Sequence, residues 1–98
     1  IRKALELSPG KGAYLDSLGW AFYKKGDMDK ALEYIGEAAE ILPDDPTVLE
    51  HLGDVYMETG DGEKALRAWE GSLKADPDNV SVKRKRNKAI EQEAGKEK

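Results

Sequence analysis

A motif that returns after 34 residues constrains the fold of this chain more than any other feature. The segment from Leu18 to Asp27 is matched by the segment from Leu52 to Asp61, and both keep a leucine, a glycine, an aromatic residue, a second glycine and an aspartate at the same spacing. Prolines stand one period apart at Pro9, Pro43 and Pro77. A fixed period of this length is typical of stacked copies of one supersecondary unit.

Each unit resembles the tetratricopeptide repeat, which has two antiparallel helices that cross at a small residue and an alanine, and which ends on a proline. Those positions are filled by Gly19, Ala31 and Pro43 in one unit and by Gly53, Ala65 and Pro77 in the next. Leu15 and Leu49 replace the family's usual tryptophan in the first helix. The resemblance covers about residues 1–79 and implies an all-α, right-handed solenoid of helix–turn–helix repeats. Segments 14–20 and 50–56 are also similar to the C-terminal repeats of bacterial tetratricopeptide proteins.

Hydrophobic spacing and helix-breaking residues predict four repeat helices, at about 13–25, 28–41, 46–58 and 62–75, and a fifth that begins near Val80. We expect residues 1–11 to end a truncated upstream repeat, 12–45 and 46–79 to be two repeats, 80–94 to be a capping helix and 95–98 a disordered tail. The predicted core includes Leu15, Leu18 and Phe22 in the first helix, Leu49, Leu52 and Tyr56 in the third, and Trp69 in the fourth.

Charge is unevenly distributed along the chain. Residues 1–79 carry 17 acidic and 9 basic side chains, whereas residues 80–98 carry 3 acidic and 7 basic ones. Because an acidic body repels phosphates, we expect no nucleic-acid ligand there. No apolar run approaches the roughly 20 residues that span a bilayer, so we expect no membrane insertion.

Residues that carry chemistry are sparse. The chain has no cysteine and a single histidine, His51, whereas a metal site needs several such ligands. We interpret His51 as exposed polar surface. A serine nucleophile would need a base and an oxyanion hole, which repeat surfaces of this kind rarely provide. We therefore expect no enzyme, no metal and no cofactor.

One face of each first helix is left over once the core stripe is assigned. Successive helical residues lie about 100° apart, so Trp20 projects about 200° from Leu18. In tetratricopeptide arrays the first helices line a concave groove that holds peptide or helical ligands, and the resemblance implies that this face is the groove here. The predicted groove residues are Asp16, Trp20, Tyr23 and Lys24 on the first helix, and Glu50, Asp54, Met57 and Glu58 on the third.

These residues predict an acidic channel with an apolar floor, and hence a basic or apolar partner. The basic and asparagine residues with which part of the family clamps carboxylate tails are missing, so an acidic C-terminal tail is disfavoured. We expect the Trp20 ring to be largely solvent-facing in the empty groove. The alternatives are that the ring packs against the neighbouring repeat and that the carboxylates form an ordinary solvated face.

The fifth helix carries the one basic cluster. Its cationic residues are Lys83, Arg84, Lys85, Arg86 and Lys88. They are candidates for contact with an anionic surface. The alternative is a solubilising face of a helix that caps the stack, since no aromatic residues are interleaved for stacking on bases.

Together these patterns predict a non-catalytic scaffold that binds a protein, as a peptide or helix, in the groove. The rival interpretation is structural. Ile1 and Leu5 would leave apolar surface uncovered at the N-terminal end, so the repeat array could form a homo-oligomer there.

Overall fold

The computed structural model describes residues 8–96, and within that range the chain forms five α-helices and no β-strand. The helices are α1 (Pro9–Lys25), α2 (Met28–Ile41), α3 (Pro46–Glu58), α4 (Gly62–Ala75) and α5 (Val80–Lys96). Each helix packs against its neighbours in the chain, and α1 also contacts α3. The predicted all-α solenoid of helical repeats is confirmed.

A polar side chain precedes each helix and accepts a hydrogen bond from a backbone N–H of its first turn. Ser8, Asp27, Asp45, Asp61 and Asn79 serve α1 to α5 in that order. Such bonds satisfy amide groups that have no carbonyl partner inside the helix, and each stabilises the helix by about 1 kcal/mol. The start of each helix is therefore determined locally, by the capping residue that precedes it.

The first helix of each repeat is followed by one glycine in a left-handed conformation. Gly26 and Gly60 adopt φ values of 89° and 87°, a left-handed conformation that side-chain-bearing residues rarely take. After α1, the Gly26 amide donates to the Tyr23 carbonyl and the Asp27 amide donates to the Phe22 carbonyl. This arrangement satisfies the last carbonyls of the helix and turns the chain directly into α2.

The observed helix bounds differ from the predicted ones at the two ends of the stack. Helix α1 begins at Pro9, four residues early, because Ser8 caps it and proline is tolerated at a first helical position. Helix α5 begins at Val80 as predicted but continues to Lys96, past position 94. The predicted helical remnant at residues 1–7, including Ile1 and Leu5, and the last two positions of the predicted tail lie outside the described residues.

Two buried clusters form the core. The first lies mainly between α1, α2 and α3, and its buried members are Leu15, Ala31, Ile35, Ala38, Val48 and Val55. The second joins α4 to α5, and its buried members are Ala65, Trp69, Val82 and Ala89. Trp69 is 3% exposed, which confirms its predicted core position.

The buried stripe of α3 is not the predicted one. Val48 and Val55 are fully enclosed, whereas Leu49, Leu52 and Tyr56 are only partly buried. The reason is that α3 packs against α2 as well as α4, and Val48 and Val55 are the α3 residues that enter the first core cluster with residues of α1 and α2. On α1, likewise, Leu15 is buried while Leu18 and Phe22 are partly exposed.

Helix pairs within each repeat cross at a glycine. A Cβ atom on Gly19 would lie 3.0 Å from the Ile35 backbone nitrogen and 3.1 Å from the Ala31 carbonyl oxygen. A Cβ atom on Gly53 would collide with the indole of Trp69. The close crossing implied by the repeat motif is therefore present in both units.

Candidate partner-binding groove

The predicted groove residues lie on two adjacent helices. Asp16, Trp20, Tyr23 and Lys24 are on α1, and Glu50, Asp54, Met57 and Glu58 are on α3. We call the surface formed by these eight residues and by the side of α5 that faces α3 the groove face. Their burial varies widely, because Asp16 is buried whereas Lys24 and Glu58 are exposed.

Trp20 is at the centre of an aromatic stack rather than open to solvent. Its ring lies parallel to that of Tyr23, with ring centroids 4.5 Å apart. On α3 the His51 imidazole stacks against Trp20 at a centroid distance of 3.9 Å. The expectation of a largely solvent-facing ring is wrong, because α3 supplies a flat partner and the ring also packs on the first core cluster.

His51 is likewise not the exposed polar residue that the sequence suggested. Its Nδ1 lies 3.0 Å from each carboxylate oxygen of Asp16, and the two side chains are 18% and 10% exposed. The pair joins α3 of the second repeat to α1 of the first. The stacking of the His51 ring on Trp20 and the hydrogen bond of its nitrogen with Asp16 thus both hold α3 against α1.

A second pair joins the groove face to the last helix. The Lys85 ammonium on α5 donates to Glu50 Oε2 at 2.8 Å and to Asp54 Oδ1 and Oδ2 at 3.0 and 3.1 Å. Lys85 therefore turns away from the basic cluster in which the sequence placed it. The predicted acidic channel is correspondingly less acidic, since two of its carboxylates already hold a cation and Asp16 is engaged by His51.

These two pairs obey the same repeat register. Asp16 and Glu50 are 34 positions apart, as are His51 and Lys85, and each acid contacts the base that lies 35 positions later. Sequence reasoning missed both contacts because it assigned His51 and Lys85 to solvent. The signal that could have found them is an acid at one repeat position, followed 35 residues later by a base in the next unit, and the recurrence of this pattern one period on.

The charges of the groove face perturb one another. Burial raises the pKa of Asp54, and the hydrogen bond and charge of Lys85 oppose that rise only in part. Burial alone would lower the pKa of Lys85, but the hydrogen bonds and the charges of Glu50 and Asp54 together outweigh burial and leave that pKa raised. Burial, followed by the nearby charges of Asp54 and Glu58, raises the pKa of Tyr23.

An open pocket of about 280 Å³ lies beside this cluster. Four helices line it, with Tyr23, Asp54, Met57, Glu58, Trp69, Lys85, Lys88, Ala89 and Gln92. Four of the eight predicted groove residues are among them. A second pocket, of about 410 Å³, is lined by Pro43, Asp44, Leu49, Gly71, Lys74 and Ala75 and includes none of the eight.

Trp69 connects the core to the groove face. Its indole Nε1–H lies 3.3 Å from both the Glu50 carbonyl oxygen and Asp54 Oδ1. The same ring forms part of the pocket wall. A buried core residue thus also fixes a carboxylate of the groove face, because a buried indole N–H needs an acceptor.

The remaining members of the basic cluster stay at the surface of α5. Lys83, Arg84 and Lys88 are exposed, and Arg86 donates a hydrogen bond to the Asn87 side-chain oxygen at 2.8 Å. Among residues 8–96, no group of three or more histidine, cysteine or acidic side chains is arranged to hold a metal ion. No helix in the same range is long and apolar enough to cross a membrane.

Comparisons with known proteins agree with the fold. The family model described as tetratricopeptide repeat matches residues 22–89. No curated protein matches the chain. One similar solved structure is the first tetratricopeptide repeat of Spaghetti (RPAP3) bound to the HSP90 peptide SRMEEVD, with 15% identity, a TM-score of 0.54 and coverage of 89% of this chain and 96% of that one. Another, the first such domain of human RPAP3, has 16% identity, a TM-score of 0.53 and coverage of 92% and 98%.

Proposed function

Because this chain belongs to the tetratricopeptide repeat family, we propose that it is a non-catalytic protein–protein interaction module that binds a helix or an extended peptide along the groove face. The observation that carries the proposal is the open pocket between α1, α3, α4 and α5. Its apolar walls are formed by Met57, Trp69 and Ala89, and charged side chains surround them. Binding sites commonly combine an apolar floor with a few convergent polar groups.

The similar domain of Spaghetti (RPAP3) supports a peptide as the kind of partner, since that protein is bound to a peptide. The partner of this chain should have different chemistry. SRMEEVD carries acidic residues near its end, whereas the groove face here has four acidic side chains, three of which are already paired with His51 or Lys85. We propose that the ligand is apolar and basic, because the four acids of the groove face still outnumber the lysines Lys24, Lys85 and Lys88 around it, and a further acidic side chain would be repelled.

A displayed peptide library, selected against the purified chain, tests this function. The affinity of the selected peptides is then measured for the wild-type protein, for Met57→Ala and for Ile90→Ala. Met57 lines the pocket, whereas Ile90 is 46% exposed on α5 and is not among the lining residues. We expect Met57→Ala to weaken binding about tenfold, since anchors in pockets dominate affinity, and Ile90→Ala to change it by less than about threefold. Equal effects of the two substitutions would contradict groove binding.

Self-association is the second candidate function. Tyr14 on α1 is 64% exposed and lies towards the N-terminal end, where the sequence predicted contact between copies, so it is the aromatic side chain that a second copy would cover. Sedimentation at increasing concentration should then show a dimer that Tyr14→Glu removes. A monomer at all concentrations, or a dimer that persists in the variant, argues against an interface at this position.

A further inference from the structure

Lys85 reaches from the last helix into the groove face and holds two carboxylates of α3. Its ammonium lies 2.8 Å from Glu50 and 3.0 Å from Asp54, whose side chains are 21% and 11% exposed. The lysine side chain itself remains 33% exposed. The carboxylates are thus well enclosed, whereas the cation that satisfies them stays accessible from solvent.

The apolar pocket opens next to this ion pair. Asp54 and Lys85 both line it, together with Met57 and Trp69. A ligand side chain seated in the pocket would therefore lie in contact with the pair. Any positive charge on the adjacent ligand residue would then compete with Lys85 for the same two carboxylates.

The pair of carboxylates requires a cation but does not require this particular one. Glu50 and Asp54 are one helical turn apart, so without a positive partner their charges would repel each other in a partly desolvated site. Lysine is a point charge on a flexible stem, and a second lysine or an arginine could satisfy the same oxygens. Exchange of one cation for another leaves the charge of the site unchanged. The apolar contacts in the pocket then favour the ligand.

We propose that in the free protein Lys85 occupies the site of a basic residue of the partner. On binding, the partner's basic residue displaces Lys85 from Glu50 and Asp54, while a neighbouring apolar side chain of the partner enters the pocket over Met57 and Trp69. The ligand class is a peptide that carries lysine or arginine beside a large apolar residue. This inference rests on the proposed function, since it names the ligand of the same groove. Lys85 of α5 then competes with the ligand and lowers its apparent affinity.

Removal of the competitor should strengthen binding. The probes are an acetylated and amidated heptapeptide with one central lysine flanked by leucines, and two matched peptides with glutamine or glutamate in place of the lysine. The protein variants are Lys85→Gln, which keeps the side-chain length, and Lys83→Gln, a matched control that removes the same charge from an exposed lysine of α5 that does not line the pocket. Circular dichroism verifies that both variants are folded.

We expect Lys85→Gln to bind the lysine peptide about tenfold more tightly than the wild-type protein, because the closed, self-occupied state no longer reduces the apparent affinity. Lys83→Gln should change it by less than about threefold. The glutamine peptide should bind both forms with similar, weaker affinity. Unchanged or weaker binding by Lys85→Gln overturns the proposal, and so does an equal gain from Lys83→Gln.

A measurement on the wild-type chain serves if Lys85→Gln fails to fold. The NMR signal of the Lys85 ammonium should shift on addition of the lysine peptide and should not shift with the glutamine peptide. Equal binding of the lysine and glutamine peptides overturns the cationic site but leaves groove binding intact. Binding of none of the three probes also overturns it, while the comparison of Met57→Ala with Ile90→Ala still decides the proposed function.

Discussion

Two tryptophans of this chain make contacts of different kinds. Trp69 is 3% exposed within the second core cluster and donates a hydrogen bond through its indole. Trp20 is partly buried and is held mainly by stacking on Tyr23 and His51. Loss of the Trp69 ring leaves a cavity in the core, whereas loss of the Trp20 ring removes the stack with Tyr23 and His51.

Substitution of the two tryptophans should therefore have unequal effects on stability. Trp69→Ala should lower the free energy of unfolding by roughly 3–5 kcal/mol, because it leaves a cavity and removes the donor to Asp54. Trp20→Ala should lower it by about 1–2 kcal/mol, the worth of its ring contacts at a partly exposed site. Denaturant melts of both variants measure the difference. Equal losses would mean that Trp20 is as much a core residue as Trp69.

At the scale of the helices, the decisive contacts are the glycine crossings. Gly19 and Gly53 let α1 approach α2 and α3 approach α4, and a methyl group at either position meets backbone atoms or an indole ring. Gly36 on α2 is different, because a Cβ atom there would have no neighbour within 4 Å. The same substitution should thus act in opposite directions.

Gly19→Ala and Gly53→Ala should each destabilise the protein by about 1–3 kcal/mol through overpacking. Gly36→Ala should instead stabilise it by about 0.5–1 kcal/mol, because alanine restricts the unfolded chain and favours the helix. Thermal melts of the three variants decide the matter. A gain in stability from Gly19→Ala would show that the crossing of α1 and α2 is looser than the structure has it.

The helices were largely predictable because their signals are local. The starts of α2, α3 and α4 follow from aspartate caps, and their ends from Gly60 after α3 and from the prolines Pro43 and Pro77 after α2 and α4. The same kind of local signal was available for the start of α1 at Ser8 and Pro9. The enclosed side of α3 was not predictable with the same certainty. Periodicity alone does not say how a helix between two neighbours divides its contacts, and Val48 and Val55 were missed for that reason.

At the scale of the whole molecule, the repeat register links the units through charge as well as through packing. The sequence predicted which residues share the groove face but treated its acids as free. Asp16 meets His51 and Glu50 meets Lys85 only because α1, α3 and α5 lie side by side. Contacts between residues 35 positions apart depend on the angle between successive repeats, and the residue types do not determine that angle locally.

Stability of the whole fold should decline at alkaline pH. The pKa values of Tyr23 and Lys85 are both raised in the folded protein, the first by burial and nearby acids and the second by its carboxylate partners. A group with a raised folded-state pKa contributes stability that is present below its unfolded pKa and is lost as pH rises through the folded value. Both losses begin at about pH 10.

Tyr23→Phe removes one of these two contributions. Between about pH 8 and pH 11, the free energy of unfolding should therefore fall less steeply for Tyr23→Phe than for the wild-type protein. Urea melts at both pH values provide the comparison, with Tyr14→Phe as the control because Tyr14 is 64% exposed. Identical slopes for the wild-type protein and Tyr23→Phe would show that the phenol ionises as freely in the folded state as in the unfolded one.

The central claim is that a peptide partner binds the groove face, and NMR mapping of backbone amides tests it most directly. On titration with a library-selected peptide, we expect the largest shift changes at Tyr23, Asp54 and Met57 and along α5 near Lys85. These residues line the pocket between the four helices. Shift changes concentrated instead at Leu49, Gly71 and Lys74, around the second pocket, would contradict the account and place the partner elsewhere on the stack.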